Sequence, residues 1–260
     1  MSVDTSIKTR TAGSVATLEI ARPEKKNALT ESMYEAMAEA LNTAMADDAV
    51  HALLITGQPS VFTAGNDLED FLHRPPASED APVFRFMRAL ATCDKPVVAA
   101  VTGAAVGVGT TMLLHCDLVY VATDARLSLP FVSLGLVPEF ASSLLLPRLM
   151  GHVRAAEKLL LGEPFTGVEA VALGIASAAL PAVEVLGHAR RAAERLSQLP
   201  PGAVRETKRL MRAAVHGDVI RTLHEEGVVF AERLRSAEAR EAFQAFIEKR
   251  KPDFSRTRAP

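Results

Sequence analysis

The sequence predicts an α/β fold, and three observations carry that prediction. Short runs rich in β-branched residues recur between segments with helical periodicity. Of the 260 residues, 48% are hydrophobic, enough to build a sizeable core and to set the chain apart from disordered sequences. After about Pro200 the texture changes to Ala, Glu, Arg and Leu, which favour helix, with no further strand pattern.

Taken in order, Ser14 to Ile20 reads as the first strand, at the end of an N-terminal stretch that alternates polar and apolar residues and lacks the continuous apolar core of a signal peptide. Thr30 then caps a helix whose Met33, Met37, Leu41 and Met45 lie four apart along one apolar stripe. Val50 to Thr56, Pro96 to Val101 and Leu118 to Ala122 are the next strands. Glycine-containing segments at 61–68 and 103–111 each follow a strand, and their small residues let a ligand approach the main chain. Pro200, Pro201 and Gly202 mark a boundary. The expected organisation is therefore a mixed body over 1–197 and a helical C-terminal region over 198–260, with a polar tail from Pro252.

Charge and composition narrow the function. With 29 basic and 31 acidic side chains, 29 − 31 leaves a net charge of −2, so no global field draws the chain to nucleic acid or an anionic membrane, and an anionic ligand must meet a local basic cluster. No run of about eighteen apolar residues is present to span a bilayer. Cys93 and Cys116 make neither a disulfide framework nor a CxxC pattern, and a cytoplasmic location is the simplest expectation.

Several common chemistries lack their motifs. The segment Gly107-Val108-Gly109-Thr110-Thr111-Met112 opens like a dinucleotide fingerprint but has Met112 at the third glycine position. Ser133 has no nucleophile elbow around it, no phosphate-binding GxxxxGK[ST] loop occurs, and the seven histidines show no metal-ligand spacing. No metal and no separate cofactor are expected. What is left is chemistry made from backbone donors and a carboxylate.

An ordered set of segments resembles the crotonase, or enoyl-CoA hydratase/isomerase, superfamily from about residue 5 to Phe254. The pieces are Arg22-Pro23-Glu24-Lys25-Lys26-Asn27-Ala28-Leu29, Ala64-Gly65-Asn66-Asp67-Leu68, Lys95 to Val101 leading into the second glycine segment, Cys116-Asp117, Leu173-Gly174-Ile175-Ala176 and Phe246 to Lys251. The resemblance implies a spiral of ββα units, C-terminal helices that build a homotrimer or a dimer of trimers, and an acyl-CoA thioester as substrate. By position, the N–H groups of Ala64 and Val108 are expected to form an oxyanion hole. Removing a proton beside a thioester makes an enolate, and one donor already aimed at its oxygen is worth roughly 3–4 kcal/mol. A helix beginning at Gly107 would add its dipole.

The resemblance also bears on the reaction. Hydratases of the family carry two glutamates at positions this chain fills with Thr111 and Phe131, and neither can act as an acid or base near neutral pH. The segment Leu136-Val137-Pro138-Glu139-Phe140-Ala141-Ser142-Ser143 instead resembles the Pro-Glu-Gly-x-Ser-Ser stretch of peroxisomal-type Δ3,Δ2-enoyl-CoA isomerases, whose glutamate is the base. Glu139, placed after Pro138 where a helix begins, is the expected catalytic residue. Phe140 departs from the glycine and is expected to shape the acyl pocket with Phe131 and Leu136. The reading is an isomerase that moves a 3-enoyl-CoA double bond to the 2-position. The alternatives are an enoyl-CoA hydratase and, from a different class, a noncatalytic acyl-CoA-binding relative.

For the coenzyme, the resemblance points to Arg22, Lys25, Ala28 and the turn of Ala64, Gly65, Asn66, Asp67 and Leu68. At the C-terminus Phe246 and Lys249 match positions that reach the coenzyme from a neighbouring subunit. Lys26 reads as solvated surface charge.

Overall fold

The computed structural model describes residues 6–74, 76, 78 and 80–257. The outermost parts of the two expected regions, 1–5 and 258–260, lie outside the described residues. In chain order the elements are β1 (Ile7–Ala12), β2 (Val15–Ile20), α1 (Glu31–Ala46), β3 (Ala52–Thr56), β4 (Val61–Thr63), α2 (Leu68–His73), α3 (Pro82–Ala91), β5 (Val97–Val101), β6 (Ala104–Val106), α4 (Val108–Thr111), β7 (Leu118–Ala122), β8 (Arg126–Ser128), α5 (Ser142–Met150), α6 (His152–Ala156), β9 (Phe165–Thr166), α7 (Gly167–Ala172), β10 (Ala178–Leu180), α8 (Ala182–Ser197), α9 (Pro201–Ala213), α10 (His216–Leu234) and α11 (Ala237–Ile247).

The strands form two sheets. The larger runs β1-β2-β3-β5-β7-β10, antiparallel only at the β1–β2 hairpin, and the smaller runs β4-β6-β8-β9. Each turn of the chain lays one strand in the large sheet and the next in the small one: β3 then β4, β5 then β6, β7 then β8. Successive turns stack in parallel, which is the expected spiral. All five residues of β3 and of β5 are buried, the continuous apolar pattern of parallel strands covered on both faces.

Thr30 caps α1 by accepting from the Met33 N–H, and Met33, Met37 and Leu41 are buried while Met45 is half-buried, so the four-residue stripe faces the core. The strands from Ser14 and Val50 begin one and two residues later than expected, and Leu118–Ala122 matches. The three-residue strands β4, β6, β8 and β10 and the two-residue β9 had no signal, because so short a run carries no periodicity and is set by pairing across turns of the spiral.

Every element after Pro200 is helical among the described residues. Helix α9 docks on the body through ions. The Lys208 ammonium donates to the Lys95 carbonyl at 2.6 Å and to Asp117 at 2.7 Å, and Arg212 donates to Asp117, the His115 carbonyl and the Ala91 carbonyl. Asp117 also accepts from the Val97 N–H at 2.7 Å. The Cys116-Asp117 pair seen in the sequence is thus a structural anchor. Among the described residues no helix is long and apolar enough to cross a membrane.

Candidate active site

Strands β4 and β6 are parallel neighbours, with Val61 opposite Ala104 and Thr63 opposite Ala105, so the loops leaving their C-terminal ends lie side by side. That end of parallel strands is where α/β proteins place ligands. Two glycines permit the approach. Gly65 has φ 89° and a Cβ there would stand 2.8 Å from the Val106 carbonyl oxygen; a Cβ on Gly109 would stand 2.5 Å from Thr63 Cγ2.

The backbone donors of the two loops can be counted. Ala64 N–H donates to the Lys26 carbonyl at 3.0 Å, Gly65 N–H to Thr63 Oγ1 at 3.0 Å, and Asp67 N–H to the Leu29 carbonyl at 2.9 Å. Asn66 N–H has no acceptor among the described residues. In the second loop Gly107 N–H is taken by the Ser128 carbonyl, whereas Val108 opens α4, so its N–H has no intrahelical acceptor. Gly107 has φ 55°, and Val108 is fully buried. The expectation of an Ala64 donor is therefore corrected, because its hydrogen is already spent on Lys26. Among the described residues the N–H groups left without an acceptor are that of Asn66 in the first loop and those of Val108 and Gly109 in the second. The Asn66 side chain is held as well, since the Tyr34 hydroxyl donates to its Oδ1.

The Arg22 to Leu29 segment supports this arrangement from behind. Asn27 is fully buried with φ 57°; its Nδ2 donates to the carbonyls of Ile20, Val61 and Phe62, and its Oδ1 accepts from Arg22 N–H. The Thr63 hydroxyl donates to the Asn27 carbonyl at 2.7 Å.

Glu139 lies in the bend before α5, not in its first turn. It is 4% exposed, and its Oε1 is buried without a hydrogen-bond partner among the described residues. Burial, and then the nearby Glu226 carboxylate, push its pKa up to about 8. The bend is made by two consecutive non-glycine residues in left-handed conformation, Phe140 at φ 62° and Ala141 at φ 56°. Such positions disfavour L side chains by roughly 1–2 kcal/mol each.

Three contacts hold the bend. His115 Nε2 lies 2.8 Å from the Phe140 carbonyl, so that nitrogen is the donor, and burial lowers the ring's pKa to about 4. The Ser142 hydroxyl donates to the Glu139 carbonyl at 2.6 Å. The Glu226 carboxylate, reaching from α10, accepts from Ala141 N–H at 2.6 Å and Ser143 N–H at 2.9 Å.

The Phe140 ring, 1% exposed, stacks on His115 at 4.1 Å and meets Phe86 edge-on at 6.0 Å; Phe86 in turn contacts Tyr34. This corrects the expectation that Phe140 shapes the acyl pocket: the ring is packed into the core. Tyr34 also faces Glu139 closely enough that, after burial, that carboxylate's charge raises the phenol's pKa further. Phe131 is buried beside the second glycine loop, its Cε1 3.8 Å from where a Gly107 Cβ would stand. Leu136 is buried beside it, its N–H bonded to the Phe131 carbonyl. Thr111 is fully buried on α4, its hydroxyl 3.5 Å from the Val108 carbonyl.

The coenzyme candidates divide. Arg22 donates to Asp67 at 2.7 Å and to the Ala28 carbonyl at 2.9 Å, and Asp67 caps α2 by accepting from Asp70 N–H. Burial pushes the Asp67 carboxyl up, but Arg22 and the Asp70 amide outweigh it and hold its pKa below the ordinary value. These two charges form a brace between loops, which corrects the expectation of Arg22 as a cation open to phosphate. Lys25 is exposed; it lies 3.7 Å from Glu69 and its charge also helps to lower the Asp67 pKa. Leu68 opens α2 and is half-buried. Phe246 and Lys249 lie exposed at the end of α11, and within the chain nothing described brings them to the Arg22 segment.

Sequence reasoning missed the roles of Tyr34 and Glu226. Tyr34 sits on the capped α1 between the apolar Met33 and Met37, where it reads as core. Glu226 is 85 residues from Ala141 on an amphipathic helix, and nothing local marks it.

The enoyl-CoA hydratase/isomerase family model matches residues 10–257. The chain is 33% identical over 246 residues to a probable enoyl-CoA hydratase of Bacillus subtilis (strain 168), covering 92% of this chain and 95% of that one. It is 34% identical over 246 residues to enoyl-CoA delta isomerase 2 of Rattus norvegicus, covering 92% of this chain and 62% of that longer protein. Among solved structures, that of Pseudomonas aeruginosa OdaA superposes with a TM-score of 0.92 at 54% identity, covering 94% of this chain and 99% of that one.

Proposed function

This chain belongs to the enoyl-CoA hydratase/isomerase family and acts on CoA thioesters, and on that premise we propose that it moves the double bond of a 3-enoyl-CoA to the 2-position. The observation that carries the reading is Glu139: a buried carboxyl whose Oε1 has no hydrogen-bond partner among the described residues and whose pKa is raised to about 8, in a site where Thr111 and Phe131 offer no acid or base.

The Glu139 carboxylate removes a proton from C2 of the bound thioester. The C2–H electrons form a C1–C2 double bond and the carbonyl π pair passes to the thioester oxygen, giving a dienolate that still holds the C3–C4 double bond. When the carbonyl re-forms, the C1–C2 pair becomes the C2–C3 double bond and the C3–C4 pair takes the proton at C4. The Asn66 and Val108 N–H groups stabilise that oxygen; each is worth roughly 3–4 kcal/mol in such a site. Protonated Glu139 returns the proton to C4. Atoms and charge balance without a co-reactant, and a pKa near 8 lets one group take and give the proton close to neutral pH.

Lys25, Ala28 and Leu68 bind the coenzyme from one side in this reading. Phe246 and Lys249 of a neighbouring subunit bind it from the other, which makes the working form a trimer or a dimer of trimers. The test is a panel of 3-enoyl- and 2-enoyl-CoA thioesters given to wild type and Glu139→Gln. Wild type should form the conjugated thioester and hydrate crotonyl-CoA poorly, and Glu139→Gln should lose isomerisation at least about 1000-fold while still binding acyl-CoA. Efficient hydration would instead favour the hydratase reading; acyl-CoA binding without deuterium exchange at C2 or C4 would favour a noncatalytic binder.

A further inference from the structure

We propose that Glu226, on α10 of the C-terminal helical region, is a positioning residue for the reaction, holding the bend that presents the Glu139 carboxyl to the substrate. The inference rests on Glu139 as the proton-transfer group.

The geometry is specific. Glu226 spends one oxygen on Ala141 N–H at 2.6 Å and the other on Ser143 N–H at 2.9 Å, so a single carboxylate clamps both sides of the start of α5. Ala141 is one of the two left-handed residues of the bend, and Glu139 stands two residues before it. Neither Phe140 nor Ala141 supplies glycine's freedom, so an outside contact has to hold that backbone in place. Glu226 is only 8% exposed, although burying a carboxylate is unfavourable unless its oxygens are occupied. Its own pKa is raised by burial and lowered back by the Ser143 and Ala141 bonds, with a net rise.

A second effect follows from charge. Like charges oppose one another's ionisation, so ionised Glu226 favours the protonated form of Glu139. The other groups facing the bend are Tyr34 of α1 and His115 before β7, with Arg212 of α9 bonded to the His115 carbonyl. On the elements packed against α10, Arg148 of α5 pairs with Asp218, Arg85 and Arg88 of α3 pair with Glu35 and Asp80, and Glu238 of α11 pairs with Arg233. Among the described residues none of these cations pairs with Glu226, which is held by the Ala141 and Ser143 amides and by the Ser143 side chain. Helix α10 therefore contributes both shape and charge to a site built otherwise from the spiral.

The experiment compares wild type, Glu226→Gln, Glu226→Asp and Glu139→Gln in the full-length protein. The readouts are the pH profile of 3-enoyl-CoA isomerisation, KM and kcat separately, and the Glu139 carboxyl band in infrared difference spectra, assigned by its loss in Glu139→Gln. In Glu226→Gln the Glu139 midpoint should move down by roughly 1 pH unit from its value near 8, carrying the acidic limb with it, and kcat should fall roughly 10- to 100-fold with little change in KM. Glu226→Asp keeps the charge but is a methylene too short to hold both amides, so kcat should fall while the midpoint stays. A Glu226→Gln protein with wild-type kcat and midpoint overturns the proposal. If that variant does not fold, wild-type kcat in Glu226→Asp overturns it instead. The infrared midpoint needs no turnover, so it judges Glu226 even if the isomerase reading fails; wild-type turnover by Glu139→Gln would sink that reading separately.

Discussion

Glu139 combines a stability defect with a chemical use. Its carboxyl titrates near 4.5 in an unfolded chain and near 8 when buried in the fold. A folded pKa above the unfolded one means that the native state holds the proton more tightly. The resulting stabilisation is complete below the unfolded value and is lost as pH rises to the folded one. Glu139→Gln has no proton to lose, so its stability relative to wild type should increase between pH 5 and pH 9, by on the order of a few kcal/mol. Urea unfolding of both proteins at the two pH values checks this, and a constant difference would show that the carboxyl ionises as easily in the fold as outside it. Glu139 itself was legible in the sequence because the Pro-Glu stretch marks it. The Ala64 assignment was not safe there, because whether an amide hydrogen is free depends on the Lys26 carbonyl, 38 positions away in the chain and brought close only by folding.

At the scale of elements, the question is how helices with few buried residues stay on the spiral. Helix α9 buries only Lys208 among its residues, and what fixes it is the Lys208–Asp117–Arg212 group. Burial lowers the Lys208 pKa while Asp117 opposes that shift. Removing one partner of a buried pair leaves the other charge unmatched, at a cost of roughly 3–5 kcal/mol. Lys208→Met should lose stability on that order in urea. Arg209→Met, whose side chain pairs with Glu206 in the open, should stay within about 0.5 kcal/mol of wild type. Equal effects from the two variants would mean that α9 is held by apolar contact alone. The helix was readable from composition, and so was the break between α8 and α9 at Pro200. Its anchor was not, because Asp117 looked like part of a family signature and carried no sign of which cations it would meet.

The whole molecule leaves large apolar side chains in solvent. Val153, Leu160 and Leu161 are 80%, 64% and 68% exposed along α6 and the π-helical turn Glu157–Leu161 after it, and Phe246 is 64% exposed at the end of α11. Scattered apolar residues are ordinary on a monomer, but several within one short segment mark a contact surface. Light scattering at micromolar concentration should give the mass of three or six chains, and Lys249→Ala should weaken acyl-CoA binding several-fold without loss of turnover at saturation. A monomer with full activity would remove both the assembly and the borrowed coenzyme contacts from the proposal.

The sequence by itself determined the α/β class, the strands β2, β3, β5 and β7 but not the hairpin partner β1, the capped first helix and the helical end of the chain, and it singled out Glu139 as the residue of the proposal. These follow from period, composition and short motifs, which are local. Only the tertiary structure decided which amides stay open, that Arg22 and Asp67 neutralise each other, that Phe140 turns into the core, and that Glu226 reaches the bend at Ala141. Each of those depends on a hydrogen bond, ion pair or ring contact between residues distant in the chain. A polar group's availability is set by what folding places beside it, and no local pattern records that.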